Sequence, residues 1–188
     1  SGWLVLGATA IAYEQGAAYR PLIELLGRFF NVQPTDVPAE IREKVNAVLR
    51  GLDPALLDAA PAILSLGEAL PADDPFRLLD ISERRTRVLS ALERLFVTLS
   101  ARQPLVIALE NVQWADGETI AVLDRLATRL RGSRLLLIVD ARPPYHHDWP
   151  GGPPTVLTLE PLVTADAEQM LKDMLGDDPE LGPLRQFL

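Results

Sequence analysis

The chain contains no cysteine among its 188 residues. Disulfide frameworks and thiolate chemistry are therefore excluded, and the absence fits a reducing compartment. The longest apolar runs, LVIAL and LLLIV, are far shorter than the roughly 20 residues that span a bilayer. The N-terminus also lacks the basic segment followed by an apolar segment that marks a secretory signal. These absences predict a cytoplasmic protein that does not enter a membrane.

Positive charge is scarce as well. Lysine and arginine number 18 against 26 aspartates and glutamates, which gives a formal net charge of -8. Nucleic-acid binding depends on a clustered basic face that neutralises phosphates, so this composition predicts no nucleic-acid partner. The chain does have 48% apolar and 23% charged residues, which is typical of a globular domain large enough to bury a core.

Four short apolar runs predict β-strands, over residues 3–9, 104–110, 134–141 and 154–160. The second and third runs are continuously apolar. Strands of this kind are typical of a parallel sheet that helices bury on both faces.

Helical patterns lie between and after these runs. Apolar residues recur at helical spacing in 82–101 and in 117–131, and a shorter pattern covers 165–175. No strand pattern occurs in 20–101, where prolines separate short apolar segments, so we interpret this stretch as a helical insertion. Strands that alternate with helices predict an α/β domain with a mostly parallel sheet covered by helices.

An acid and an amide, Glu110 and Asn111, end the second predicted strand. Ligands of open α/β sheets collect at the carboxyl edge of the strands. In nucleotide hydrolases of this class, one acid at that edge holds the magnesium water shell and an adjacent acid activates the attacking water. On this hypothesis Glu110 is the metal-side acid and Asn111 occupies the base position, where an amide can orient water but cannot deprotonate it. The alternative is a polar strand end that reaches solvent, with Trp114 as ordinary packing.

A longer stretch carries a family resemblance. Residues 104–149, PLVIALENVQWADGETIAVLDRLATRLRGSRLLLIVDARPPYHHDW, resemble the magnesium motif and following strand of the ATPase domain attached to bacterial class III adenylate/guanylate cyclases and related signalling regulators. These domains are P-loop ATPases of the AAA/STAND type. The start of the chain and the segment after residue 156 are similar to the same family, and 36–100 is the least specific part.

This resemblance implies a P-loop NTPase-like fold and an ATP-binding, ATPase-type regulatory module. ATP and Mg²⁺ would be cofactors of the intact parent protein, and its other domains, such as a nucleotide cyclase, would be partners. It also implies a single partial ATPase domain over 1–188. Its parts would be a strand in 1–10, the helical insertion in 20–101, magnesium-motif and sensor strands in 104–160, and C-terminal helices in 161–188.

Individual residues follow from the resemblance. Glu110 matches the first acid of the magnesium motif, and Asp116 matches a later acid of the same segment, so both are predicted to bind the cofactor. Asn111 stands where the family usually has aspartate. Arg142 matches an arginine just after the next strand, which can sense the terminal phosphate or hold its loop through a carboxylate. A surface arginine before a Pro-Pro turn is the alternative for Arg142.

The phosphate-binding loop of such ATPases, G-x-x-x-x-G-K-[ST], does not occur in the sequence. The chain has two lysines, Lys44 and Lys172, and neither follows a glycine-rich turn. We therefore expect the loop to lie upstream of residue 1 or to be lost, and we expect no tight ATP or Mg²⁺ binding by these residues alone.

The family's sheet has the strand of that loop between the strands predicted at 134–141 and 154–160. Its absence would leave open apolar edges, which invite pairing. We expect 154–160 to close against 134–141, a second copy to pair there, or the C-terminal part to pack loosely, and we favour the first two.

Two adjacent histidines, His146 and His147, suggest a metal site at first sight. Neighbouring side chains diverge on an extended backbone, and no third ligand stands at metal-binding spacing. We interpret them as part of a surface turn.

Three functions remain open from the sequence. The first is an ATP-binding module of a signalling protein linked to a nucleotide cyclase. The second is an interaction or scaffold domain whose ATPase chemistry has lapsed, and the third is the ATPase part of a transcription regulator. Asn111 favours the second, whereas Glu110 and Arg142 support the first.

Overall fold

A computed structural model describes residues 2–12 and 16–176. The chain divides into two compact units, residues 1–153 and residues 154–188. The first unit contains the sheet and the helical insertion.

The sheet consists of strands β1 (Leu4–Thr9), β2 (Leu105–Glu110) and β3 (Leu135–Val139). All pair in parallel, in the order β1-β2-β3. Leu105 of β2 lies between Leu4 and Leu135, and the register continues without a break to the carboxyl ends. The predicted parallel sheet is confirmed, with β2 beside β3, and the strand ends meet at one edge.

The helices of the first unit follow the predicted pattern. They are α1 (Arg20–Phe29), α2 (Pro38–Leu52), α3 (Ala60–Leu66), α4 (Ile81–Arg102) and α5 (Gly117–Arg129), with short 3₁₀ turns at Pro54–Ala59, Pro75–Leu78 and Val112–Trp114. Proline stands in the first turn of α1, α2 and α3. A backbone N–H in the first turn has no intrahelical acceptor, so proline, which lacks this N–H, costs no hydrogen bond there. The helical insertion between β1 and β2 is thus confirmed.

The core lies between the sheet and the helices. Ile107 and Leu109 of β2 are buried against a helical layer that includes Leu95 and Phe96 of α4 and Leu123 of α5. Each of these side chains is at most 1% exposed. Because β2 is the central strand of the sheet, this packing fixes the position of its carboxyl end, where Glu110 stands.

The opposite face of the sheet differs from the sequence prediction. Val5 is 63% exposed, Leu136 46% and Ile138 49%, so within the described part of the first unit the helices bury one face only. A continuous apolar run predicts that both faces of a strand can be buried, but it does not specify what covers the second face.

The prediction of a strand over 154–160 is wrong. These residues have no regular secondary structure, and Val156, Leu157 and Leu159 are exposed. Apolar composition gives a segment the capacity to form a strand, but a strand requires a hydrogen-bonded neighbour. Because 154–160 is not a strand, it adds none to the described sheet, which consists of β1, β2 and β3.

The second unit contains one described helix, α6 (Thr164–Leu175), at the position of the predicted 165–175 pattern. The remainder of the predicted C-terminal helices, 177–188, lies outside the described residues. Over the described ranges, no helix combines the length and the apolar character needed to cross a bilayer.

Candidate active site

Polar side chains follow the strands at the carboxyl edge of the sheet. Thr9 ends β1 and pairs in register with Glu110, which ends β2. The Thr9 hydroxyl donates a hydrogen bond of 2.9 Å to Oε2 of Glu110. Glu110 is otherwise open to solvent, so its second oxygen can accept from a ligand or bind a cation.

Asn111 follows in a left-handed backbone conformation, with φ 55° and ψ 45°. Asparagine tolerates this region better than most residues do. The Asn111 N–H donates to Oδ1 of Asp140 over 2.9 Å, and the next N–H, of Val112, donates to the Asp140 carbonyl over 2.9 Å. Asp140 follows β3 and so holds the loop after β2 in place.

Asp116 caps helix α5. Its Oδ1 accepts from the backbone N–H of Glu118 at 3.0 Å, of Thr119 at 2.9 Å and of Tyr19 at 3.0 Å. Its Oδ2 accepts from the Thr119 hydroxyl at 2.6 Å, and the residue is 8% exposed. These are the contacts of a buried helix cap. Cofactor binding by Asp116 stays a prediction.

Arg142 lies beside the loop that carries Asn111. Its guanidinium carbon is 6.0 Å from the centroid of the Trp114 ring, at the limit of a cation–π contact. Its backbone N–H donates to Oε1 of Gln113 over 3.3 Å. These contacts place Arg142 next to the loop after β2. A phosphate-sensing role for Arg142 remains a prediction.

The segment after Arg142 returns over α5. His147 Nε2 lies 2.7 Å from Oδ1 of Asp124 on α5, and the His147 ring packs edge-on against Trp149 with centroids 4.6 Å apart. Further on, Gly151 lies against the backbone of Ala127. We call residues 142–152 the strap, because these contacts tie them to α5.

A second network starts at Tyr19, a buried residue with a φ of 61°. Its hydroxyl donates to Oε2 of Glu118 over 3.0 Å, and Arg85 Nε donates to the same carboxylate over 2.8 Å. Burial, and then the hydrogen bond and charge of Glu118, raise the pKa of the Tyr19 phenol far above its usual range. The phenol therefore stays a proton donor, and it connects the start of α1 to the start of α5.

Sequence reasoning found Glu110 and Asn111 but missed Thr9 and Asp140. The signal was present, since each of them follows an apolar run as Glu110 does. It also missed the pairing of His147 with Asp124. Nothing in the local sequence indicates that pairing, because the two residues meet only when the strap folds back onto α5.

The strand ends offer donors that suit magnesium. Glu110, Thr9 and Asp140 present hard oxygen atoms, and Mg²⁺ commonly binds one or two carboxylates, with water and substrate phosphates filling the remaining positions. Within residues 2–12 and 16–176, no cluster of three or more His, Cys, Asp or Glu side chains has the geometry of a metal site. Glu110 presents one exposed carboxylate, which fits the share of a magnesium shell that protein commonly supplies when phosphates and water supply the rest.

Comparison with known proteins identifies the family of the chain. The chain is similar to an uncharacterized protein of Rhizobium meliloti (strain 1021), with 29% identity over 123 residues. The aligned segment covers 64% of this chain, and the chain spans only 11% of that curated relative. No solved structure matches. The sequence profile of the AAA ATPase domain family matches residues 1–139, which is most of the chain and includes all three strands and Glu110. The chain therefore belongs to the AAA ATPase domain family, whose members are ATPase-type modules.

Proposed function

We propose that this chain forms the magnesium-side part of an ATP-dependent regulatory module in a cytoplasmic signal-transduction protein. Its partners would be other domains of the parent chain, with a nucleotide cyclase domain as the first candidate. The observation that supports the proposal is the exposed Glu110 carboxylate at the carboxyl edge of the sheet, positioned by the Thr9 hydroxyl. A second copy of the chain is a further candidate partner, because β3 ends the described sheet and invites strand pairing.

Each residue of the edge would have a defined task. Glu110 would hold the magnesium ion through its water shell, and magnesium, when bound, neutralises charge on the ATP phosphates. Asn111 would orient the attacking water through its amide without removing a proton. Arg142, beside Trp114, would contact the terminal phosphate after a movement of its side chain.

A substitution at Glu110 tests the proposal. We expect Glu110→Gln to weaken Mg²⁺-dependent ATP binding by the full-length protein about 10-fold, because loss of one charge-assisted contact costs about 1.5 kcal/mol. ATP binding in the presence of a chelator should not change. The titration is done by calorimetry with and without Mg²⁺.

Glu43→Gln is the matched control, since Glu43 is exposed on α2, in the insertion and not at the edge of the sheet. Equal affinities of the Glu110 and Glu43 variants would refute the assignment of Glu110. A full-length protein that binds no ATP would favour the scaffold function.

Asn111 supports that second candidate, an interaction or scaffold domain that does not hydrolyse ATP. Its backbone occupies a conformation that suits asparagine and aspartate alike, so the fold accepts either residue. We expect Asn111→Asp to raise ATP turnover at least about 10-fold, because an aspartate can accept the proton of the attacking water. Phosphate release by the full-length protein at saturating Mg²⁺ and ATP measures the change.

Asn111→Ala is the control that distinguishes base catalysis from an effect of altering the loop conformation. It removes the amide without adding a base, so it should not accelerate turnover. An unchanged rate in Asn111→Asp would mean that residue 111 does not face the attacking water.

A further inference from the structure

A cavity that does not include Glu110 lies between the helical insertion and the start of α5. Its volume is about 740 Å³. Its apolar floor comes from Ile23 of α1, Leu70 and Phe76 of the segment before α4, and Val88 of α4. Small-molecule sites typically measure about 300–1,000 Å³ and combine apolar walls with a few polar groups, so this cavity has the size of a ligand site.

Arginines surround the floor. Arg77 donates hydrogen bonds to the carbonyls of Leu70 and Pro71, which uses its guanidinium to hold the wall. Arg85 is paired with Glu118 at 2.8 Å. Arg84 also lines the cavity, and its side chain makes no hydrogen bond or ion pair among the residues that the structure describes. Arg84 is therefore the cation that remains available to an incoming anion.

Hydrogen bonds of Tyr19 fix the inner wall of the cavity. Tyr19 has a left-handed backbone, a conformation that costs a non-glycine residue about 1–2 kcal/mol. It is held there by its N–H bond to Asp116 and its hydroxyl bond to Glu118. Strained residues that the surrounding structure holds in place are concentrated at functional sites. Here the strained residue connects the cavity to the cap of α5, and α5 follows directly on the loop that carries Asn111.

We propose that this cavity binds a small organic anion with an apolar body, and that Arg84 recognises its carboxylate, sulfonate or phosphate group. The apolar body lies against Phe76 and Val88, which are buried at the floor. A net charge of -8 makes the molecule as a whole repel anions, so binding depends on the local positive charge of Arg84. The inference goes beyond the proposed function, because it requires no ATP and no magnesium.

The experiment uses a pair of probes with the same shape and different charge. The full-length protein, without nucleotide, is titrated by calorimetry with 2-naphthoate and with the neutral 2-naphthamide. We expect one saturable site per chain and an affinity for 2-naphthoate about 10-fold higher than for 2-naphthamide. Arg84→Gln should remove this preference, and Arg84→Glu should reverse it.

Arg50→Gln makes the same chemical change at an exposed arginine of α2 that does not line the cavity, so it should leave both affinities unchanged. The proposal is overturned by an absence of saturable 2-naphthoate binding. It is equally overturned if both probes bind alike, or if the Arg84 variants behave like Arg50→Gln. None of these outcomes depends on ATP binding, so failure here is distinguishable from failure of the ATPase proposal.

Discussion

Replacement of Asp116 by alanine is expected to destabilise the start of α5 by about 3 kcal/mol. Loss of an ordinary N-cap costs about 1 kcal/mol. Asp116 also accepts from the buried N–H of Tyr19 and from the Thr119 hydroxyl, and a buried donor that loses its acceptor costs about 1–3 kcal/mol. The loss therefore exceeds that of a surface cap.

Hydrogen exchange of the full-length protein, followed by mass spectrometry, measures this effect locally. Amides in the first two turns of α5 should exchange about 100-fold faster in Asp116→Ala, since each tenfold corresponds to about 1.4 kcal/mol. Asp80→Ala is the control. Asp80 caps α4 through an exposed bond of 2.8 Å to the N–H of Glu83, so its loss should cost about 1 kcal/mol or less. Equal effects at both caps would contradict the argument.

Asp116→Asn separates the structural role from the predicted cofactor role. Asparagine caps helices about as well as aspartate, and its amide N–H₂ can donate to the Thr119 hydroxyl oxygen. The helix should therefore remain nearly as stable. If the negative charge of Asp116 also contributes to magnesium binding, Mg²⁺-dependent ATP affinity should fall in this variant while the exchange rates of α5 stay close to those of the wild type.

The example of Asp116 shows what the sequence could predict. An acid directly before an apolar helical pattern is typical of a helix cap, and continuously apolar runs are typical of buried strands in a parallel sheet. These features depend on residues close together in the chain, where helix and strand periodicity act. One of the four hydrogen bonds to Asp116 comes from Tyr19, which is 97 positions away, and no local pattern contains that information.

The candidate site also contains residues that local sequence predicts and residues whose roles depend on the fold. Glu110 was predictable because a strand end positions it, and Asn111 because it follows directly. The Asp140 carboxylate that holds the Asn111 N–H comes from the neighbouring strand, so its role required the sheet register. The prediction of a strand over 154–160 is wrong because it lacked the same kind of information about neighbours. Its composition suits a strand, yet strand formation is decided by a neighbour and not by composition.

Alanine at Gly151 is the second change with a large expected effect. A Cβ at this position would lie 2.7 Å from the carbonyl carbon of Ala127 and closer still to its oxygen. Neither group can move aside easily, because Ala127 belongs to the backbone of α5. Overpacking of this kind costs about 1–3 kcal/mol, so the strap must shift away from the helix or α5 must bend.

We expect the strap, and not α5, to shift, because the strap has fewer stabilising contacts than the helix. Apart from Gly151, one side-chain hydrogen bond ties it to α5, between His147 and Asp124, and Trp149 and Tyr145 are only partly buried against the core. Release would free the segment that starts at Arg142 and so would move the candidate phosphate sensor. We therefore expect Gly151→Ala to increase proteolytic cleavage within 142–152 about 10-fold or more, with little change in hydrogen exchange of α4.

Gly51→Ala provides the contrast. Gly51 lies in the last turn of α2, and an added Cβ there meets no atom within 4 Å. Alanine is the better helix former by up to about 1 kcal/mol, so this variant should be as stable as the wild type or slightly more so. If Gly151→Ala were cleaved no faster than Gly51→Ala, the close approach to Ala127 would not hold the strap. The position of Arg142 would then depend on its own contacts with Gln113 and Trp114, and Trp114→Ala rather than Gly151→Ala would be the change that releases it.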